Sequence, residues 1–180
     1  MRQDESLNPA SPTAEAEDLA LVTAARNGDT GAFGQLYDRY ARMVHGILLA
    51  RLPHDAVEDT VQDVFIAALE QLRALREPGA FGGWLAAIAR NRANDFHRRT
   101  ARTSQMTENP ARADLPHGEA AAVLEKIRTL PDAYRETLIL RLVEGMTGPE
   151  IAARTGLTHG SVRVNLHRGM KMLKESLEGR

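Results

Sequence analysis

The sequence contains no cysteine among its 180 residues, and aromatic residues make up only 4% of it. Disulfide bonds and thiolate metal sites are therefore excluded, which fits a reducing cytosol. No run of about 18 apolar residues occurs, and the N-terminus has no basic segment followed by an apolar one. These absences predict a cytoplasmic chain without membrane insertion, and its length allows one or two domains.

Sequence motifs of catalysis and of cofactor binding are also missing. There is no glycine-rich phosphate loop and no Ser/His/Asp arrangement that local spacing supports. The six histidines are scattered, and the Asp59/Asp63 pair has no companion Glu-x-x-His motif on another helix. The sequence therefore predicts no catalytic residue, no metal site and no cofactor, and the protein is not expected to be an enzyme.

Charge is balanced overall but is separated along the chain. There are 24 acidic residues against 23 lysines and arginines, for a formal net charge of −1. Acidic residues collect before Leu19 and between Asp55 and Glu70, whereas basic residues collect at 90–102 and 163–174. Segregation of this kind indicates separate faces for separate partners.

Apolar residues recur at helical spacing through most of the chain, which predicts an all-α fold. Residues 1–16 read as a disordered tail, and residues 100–118, with two prolines and no apolar period, read as a flexible linker. Two small helical domains remain, at 17–99 and 119–180. The first predicted helix begins near Asp18. Five more cover residues 30–52, 56–75, 81–99, 119–129 and 133–144, and two further helices follow in the C-terminal part.

The spacing of apolar residues within each helix predicts which of them form the core. In the first domain the predicted inward-facing residues include Leu36, Tyr37, Tyr40, Ile47, Val61, Val64, Phe65, Leu69, Leu85 and Ala89. In the second domain they include Leu138, Leu142, Val143, Ile151, Val162, Met170, Leu173 and Leu177.

The stretch from Met146 to Leu177 reads as a helix, a tight turn and a second helix. Thr147 and Glu150 have the spacing of a capping box, which predicts the start of the first helix. Gly156 supplies the turn because a left-handed conformation costs glycine little. Thr158 is placed to cap the second helix.

A small residue at Ala152, a glycine at 156 and a β-branched residue at Val162 have the spacing of a DNA-binding helix-turn-helix. The small residue lets two helices cross closely, and the second helix can then enter a major groove. Off the apolar stripe of that second helix lie Arg163, Asn165, His167, Arg168 and Lys171. A helical hairpin with a merely solvated charged face remains the alternative.

Two earlier helices also present a charged side. The third predicted helix has an acidic edge made of Glu58, Asp59, Gln62 and Asp63. This edge is either a solvated surface or a docking face for a basic partner. The fourth has a basic and amide surface made of Arg90, Asn91, Arg92, Asn94, His97, Arg98 and Arg99. That surface is either ordinary and solvated or suited to single-stranded or distorted nucleic acid.

Four segments together resemble one protein family. They are GDTGAFGQLYDRY, DAVEDTVQDVFIAAL, FGGWLAAIARNRANDFHRR and LPDAYRETLILRLVEGMTGPEIAARTGLTHGSVRVNLHRGMKML. In this order and at these spacings the chain resembles a bacterial sigma factor of the extracytoplasmic-function (ECF) group of the sigma-70 family. The resemblance covers nearly everything outside the tail and the linker, and it implies regions 2 and 4 of a promoter-reading initiation factor.

The resemblance implies a role for each charged face. The segment around DTVQDVF corresponds to the part that docks on the clamp helices of RNA polymerase, with the contact positions Asp59, Gln62 and Asp63. The fourth helix corresponds to the reader of the −10 element, where Asn91 matches a contact to an unstacked base, surrounded by Arg92, Asn94, His97, Arg98 and Arg99. The helix-turn-helix corresponds to the −35 reader, with DNA-facing positions Arg163, Val164, His167 and Arg168 and phosphate contacts from Ser161 and Lys171.

The implied partners are core RNA polymerase, at its clamp helices and flap, promoter DNA and an anti-sigma factor. The sequence departs from the family at Gly148-Pro149, at Asn165 and at Gly82-Gly83, where other residues are usual. The first departure predicts an altered start of the first motif helix, the second a weaker or redirected −35 contact, and the third a less rigid −10 reader. Two competing functions remain, an ordinary helix-turn-helix regulator and a sigma mimic that titrates an anti-sigma factor.

Overall fold

The computed structural model describes residues 12–104 and 118–179, and within these ranges the chain is helical and has no β-strand. The α-helices of the N-terminal half are α1 (Pro12–Arg26), α2 (Thr30–Leu49), α3 (Val57–Gln71) and α4 (Phe81–Ser104). Those of the C-terminal half are α5 (Glu119–Arg128), α6 (Asp132–Leu142), α7 (Gly148–Thr155) and α8 (His159–Leu177). The all-α prediction is confirmed.

Helix ends differ most from the prediction in α1, α3 and α4, and α2 ends three residues before the predicted residue 52, at Leu49. Helix α1 begins at Pro12, earlier than the predicted start near Asp18, since proline suits the first helical turn and the residues after it favour a helix. Helix α3 ends at Gln71 and continues as one turn of 3-10 helix. Helix α4 runs on to Ser104, into the segment read as a linker. Residues 1–11 of the predicted tail and 105–117 of the linker lie outside the described residues.

Helix α2 is the centre of the N-terminal half. Its start is fixed by Asp29, whose carboxylate accepts a 3.0 Å hydrogen bond from the backbone N–H of Ala32. Beyond that cap, its fully buried side chains (Leu36, Met43, Val44, Ile47 and Leu48) pack against α3 and α4. Asp18 attaches α1 to this helix, because its carboxylate accepts hydrogen bonds of 2.5 Å from both Arg39 and Tyr40.

The C-terminal half is built around α6 and α8. Leu138, Ile139 and Leu140 of α6 are fully buried, and Leu173 of α8 packs in the same core. Gly169 allows α8 to approach α6 closely, since a Cβ at this position would lie 3.1 Å from Leu138 Cδ1. This packing fixes which side of α8 faces solvent.

Several residues predicted to be in the core are instead on the surface. They are Tyr37, Leu69, Leu142, Val143, Met170 and Leu177. Leu142 and Val143, at the C-terminal end of α6, are exposed by 47% and 50%. Tyr37 lies on the surface against Phe65, with the ring centroids 4.5 Å apart. The helical period of apolar residues predicts which side of a helix is apolar. It does not predict how much of that side a neighbouring helix covers.

The two halves also contact each other, with α2 against α6 and α7, and α4 against α7. At one of these contacts the Nδ1 atom of His45 lies 2.6 Å from Glu144 Oε1 and its Nε2 atom 3.6 Å from Glu58 Oε1. The hydrogen bond with Glu144 raises the pKa of His45, partial burial opposes this, and the negative charges of Glu144 and Glu58 add to the increase.

This arrangement predicts that the free energy of unfolding falls as the pH is raised above about 6.5, the ordinary pKa of histidine. The contribution of His45 is fully present below its unfolded pKa of about 6.5 and is lost as the pH rises through the higher folded value. Urea unfolding at a series of pH values measures this change, and a His45→Gln variant should lose that part of the pH dependence. An unchanged pH dependence in the variant would contradict the assignment.

No helix in the described ranges combines the length and the apolar character needed to cross a bilayer.

Candidate functional site

The helix-turn-helix forms as the local sequence predicts. The carboxylate of Glu150 accepts a 2.8 Å hydrogen bond from the backbone N–H of Thr147, and Thr147 Oγ1 accepts one of 3.3 Å from the N–H of Glu150. Gly156 ends α7 in the left-handed region, with φ of 75°. Thr158 caps α8 by accepting a 3.1 Å bond from the N–H of Ser161. Despite the Gly148-Pro149 departure, α7 begins at Gly148 with its capping box intact.

Thr147→Ala should therefore lower the free energy of unfolding by about 1 kcal/mol, the usual loss for an N-cap hydroxyl. Thr147 donates two hydrogen bonds to the Glu150 carboxylate, one from its backbone N–H and one of 2.8 Å from its hydroxyl, and these two bonds, the backbone one first, hold the pKa of Glu150 below its ordinary value. Urea unfolding measures the loss, and Thr147→Ser, which keeps the hydroxyl, is the control. Equal stability of the serine and alanine variants would contradict the capping role.

The side of α8 turned away from the core carries the predicted −35 contacts. Arg163, Val164, His167, Arg168 and Lys171 are all exposed, while Val162, Gly169 and Leu173 are buried on the opposite side. Ser161 is also exposed, and its Oγ lies 2.8 Å from Thr158 Oγ1 within the cap. The exposed residues are spaced four residues or one residue apart, so they form one face of the helix.

Asn165 lies outside that face. It is half-buried, and its amide nitrogen is 3.5 Å from Thr137 Oγ1 of α6. The sequence alone placed Asn165 on the reading surface as a weakened contact. The structure turns its side chain toward the core, so this departure does not alter the exposed face.

The predicted −10 contacts lie along α4. Asn91, Asn94, Arg98 and Arg99 are exposed, and Arg92 is partly exposed. Among the described residues Arg98 pairs with Asp95 one turn before it, which holds the guanidinium along the helix. His97 is exposed at its edge, but its Nε2 donates a 2.8 Å hydrogen bond to the carbonyl oxygen of Arg51. His97 therefore helps to fasten α4 to the end of α2.

Arg90 corrects the sequence interpretation of α4. It was placed on the exposed basic surface with its neighbours, but its guanidinium is engaged by Glu136 of α6. Nothing local in the sequence indicates this partner, because the two residues are 46 positions apart.

The acidic edge of α3 is exposed as predicted. Asp59, Gln62 and Asp63 lie three or four residues apart on one outward face. The same face continues one turn further with two apolar side chains that sequence reasoning missed. Ile66 is exposed by 56% and Leu69 by 52%. Their spacing could have identified them. Ile66 follows Asp63, Gln62 and Asp59 by three, four and seven residues, and Leu69 follows Gln62 by seven, so both lie on the same side of the helix.

Within the described ranges, no three His, Asp or Glu side chains are grouped so that they could hold a metal ion. The candidate site is therefore a set of three exposed faces: the acidic and apolar face of α3, the amide and basic face of α4, and the basic face of α8.

Two segments of the chain match known protein families. Residues 36–103 match the family described as Sigma-70 region 2, and residues 115–173 match Sigma-70, region 4. The first region contains the α3 and α4 faces, and the second contains the α8 face. Sigma-70 regions 2 and 4 together support promoter-specific transcription initiation.

The similarity to individual relatives extends over nearly their whole length. The ECF RNA polymerase sigma factor ShbA of Streptomyces griseus is 33% identical, over 88% of this chain and 94% of ShbA. The RNA polymerase sigma factor CarQ of Myxococcus xanthus is 32% identical, over 84% of this chain and 92% of CarQ. Among solved structures, CnrH in complex with the cytosolic domain of CnrY is 29% identical with a TM-score of 0.61, covering 91% of this chain and 98% of that chain.

These matches extend through both halves of the chain and reach ECF members at more than 30% identity. The chain therefore belongs to the extracytoplasmic-function group of RNA polymerase sigma factors.

Proposed function

We propose that the three exposed faces divide promoter-specific initiation between them. The α3 face docks on the clamp helices of core RNA polymerase, the α4 face holds unpaired bases of the −10 element, and the α8 face reads the −35 element. The factor itself performs no catalysis, which belongs to the polymerase, and we place its action in the cytoplasm. The observation that carries the proposal is that each face is exposed and lies in the matching sigma region.

The α3 face has the composition of a protein docking surface. Asp59 and Asp63 offer negative charge that steers a basic partner, and Ile66 and Leu69 beside them offer apolar area that can be buried. We therefore extend the polymerase contact from Asp59, Gln62 and Asp63 to these two apolar residues.

The α8 face suits a major groove. Arg163 and Arg168 can each donate two hydrogen bonds to a guanine edge, and Val164 can contact a thymine methyl group. Ser161 at the start of α8 and Lys171 two turns beyond Val164 are placed for phosphates on either side. We assign His167, between the two arginines on the same face, to the base edges as well.

The α4 face suits bases that have left the duplex. Asn91 and Asn94 provide donors and acceptors for base edges, while Arg92, Arg98 and Arg99 provide charge for the phosphates. Trapping unstacked bases can drive DNA opening without nucleotide hydrolysis, since unstacking costs a few kcal/mol per base. His97 contributes to this face mainly by positioning α4, because its ring is bonded to the backbone of Arg51.

We also propose that an anti-sigma factor regulates the protein. Solved structures show the similar sigma factor CnrH with the cytosolic domain of CnrY. For this chain the two domains at 17–99 and 119–180 would be the parts that such a partner clamps.

Run-off transcription with purified core polymerase on a library of genomic fragments tests the proposed function. We expect transcripts from a limited set of promoters that share both a −35 and a −10 element. Specific DNA binding without polymerase-dependent transcripts would favour a helix-turn-helix regulator. Binding to an anti-sigma factor with neither activity would favour a sigma mimic.

A further inference from the structure

Gly169 lies in the middle of α8, and it is buried against α6. A glycine inside a helix lowers the stability of that helix relative to alanine, so its presence calls for a structural reason. The reason is space: a Cβ at this position would lie 3.1 Å from both Cδ1 and Cγ of Leu138 and 3.2 Å from Cβ of Tyr134. The tyrosine Cβ is bonded directly to the α6 backbone, so no side-chain rotation can move it away. Any side chain at position 169 would therefore push the two helices apart.

A second contact lies on the same side of α8, one turn before Gly169. There the amide nitrogen of Asn165 is 3.5 Å from Oγ1 of Thr137. The threonine hydroxyl already donates a 2.6 Å hydrogen bond to the carbonyl oxygen of Ala133, so it can only accept from Asn165. A short amide and a glycine thus line α8 where it faces α6, and neither holds the helices apart.

Of the two helices, α8 is the one that an added side chain would move. Residues 136–140 of α6 are all buried. Along α8, every residue of which the structure describes, only Val162, Gly169 and Leu173 are buried. Because a close-packed interior resists the shift of many buried side chains at once, α6 is the fixed element of the pair.

The start of α8 is fixed as well. Thr158 caps it directly after the turn that follows α7, and the side chain of Val162 is buried in the core. Gly169 lies seven residues beyond Val162, about 10 Å along the helix. A push at Gly169 therefore tilts α8 about its N-terminal end. Arg163, beside that end, would move little, whereas Arg168, beside Gly169, would move most.

We infer that Gly169 is a positioning residue for recognition of the −35 element. By letting α8 lie close against α6, it sets the tilt that places the guanidinium of Arg168 at the base edges. The inference rests on the proposed function, in which the α8 face reads this element. An arginine donates two hydrogen bonds to a guanine only in a narrow geometry, whereas its attraction to phosphates does not depend on one. A wrong tilt therefore costs selectivity for the element before it costs general DNA binding.

Gly169→Ala in the full-length chain, assembled with core polymerase, tests this role. We expect the affinity for a promoter that carries both elements to fall about three- to tenfold, a part of what one arginine contact to a base contributes. The affinity for a fork-junction DNA that carries only the −10 element should not change. Alanine favours a helix over glycine, so a role limited to helix stability predicts no loss, and circular dichroism checks that helicity is kept.

Gly148→Ala is the matched control. It makes the same change in the same half of the chain, but among the described residues a Cβ there would meet only Val162 Cγ1, at an ordinary 3.9 Å. We expect this variant to bind both DNAs as the unsubstituted chain does. Equal binding by Gly169→Ala and Gly148→Ala would overturn the positioning role.

Double-mutant cycles separate positioning from a general packing defect. Gly169→Ala is combined with Arg168→Ala and, in parallel, with Arg163→Ala. Once the Arg168 side chain is absent, the tilt has no base contact left to disturb, so we expect Gly169→Ala to cost less than about twofold. In the absence of the Arg163 side chain it should keep its full effect. Equal factors in the two cycles would assign the loss to a defect of the whole C-terminal half and would contradict the inference.

Leu138→Met keeps the test usable if Gly169→Ala unfolds the C-terminal half. Methionine is unbranched and of similar volume, so it can bend away from the new methyl group at little cost in stability. The same two cycles are then run in this background, where the close approach to Tyr134 Cβ remains and the same pattern is expected. If Arg168→Ala by itself leaves binding to the −35 element unchanged, the proposed role of the α8 face fails and this inference falls with it. If Arg168 matters and Gly169 does not, only the inference fails.

Discussion

Asp63→Arg should abolish stable binding to core RNA polymerase while leaving the fold intact. Asp63 is exposed on α3, and among the described residues it takes part in no ion pair. Its replacement therefore costs the free protein little, as is usual for an exposed helix position. At the docking face the substitution removes the attraction between Asp63 and a basic partner surface and replaces it with repulsion between two positive charges. We expect this change to cost about 2–5 kcal/mol of binding free energy. That corresponds to a loss in affinity of roughly 30-fold or more.

Asp38→Arg is the matched control for this experiment. It makes the same change at another exposed helix position of the N-terminal half, outside the α3 face. Affinity for core polymerase can be measured by competition or by surface-immobilised binding, with circular dichroism to confirm helicity. If Asp63→Arg binds as well as Asp38→Arg, the α3 face is not the polymerase contact. Leu69→Ala tests the apolar extension of the same face and should weaken binding without affecting stability.

Arg168→Ala should lower transcription from −35-dependent promoters by about tenfold, because a direct arginine contact to a base is worth about 1–3 kcal/mol. The side chain is exposed, and alanine is a good helix former, so α8 should remain intact. The loss should appear in promoter binding as well as in run-off transcription. Promoters that rely mainly on the −10 element should be affected less.

Lys174→Ala serves as the control because it removes a cation from the same helix outside the α8 face. If the two variants transcribe equally from −35-dependent promoters, Arg168 does not read DNA. A loss in Arg168→Ala that is equal on all sequences and reduces the salt dependence of binding would instead assign the residue to a phosphate.

Sequence alone determined the features that depend on near neighbours. Three local features define the helix-turn-helix: the capping box at Thr147, the left-handed conformation of Gly156 and the cap at Thr158. Each involves residues only a few positions apart, so the sequence predicted the motif together with its capping hydrogen bonds. The exposure of Asp59 and Asp63 followed from the helical period in the same way. The family resemblance rests on such local segments too, and most of the side chains that it singles out are exposed, while their roles in binding stay predictions.

Only the tertiary structure decided the features that depend on distant partners. The pairing of Arg90 with Glu136, the hydrogen bond of His97 to Arg51 and the close fit at Gly169 join residues that no local pattern connects. The same holds for exposed Leu69 and Leu142, since a helical stripe is buried only as far as a neighbouring helix reaches. The local sequence thus specifies the helices and the faces they offer, while the packing between helices decides which residues are free to bind and which hold the two halves together.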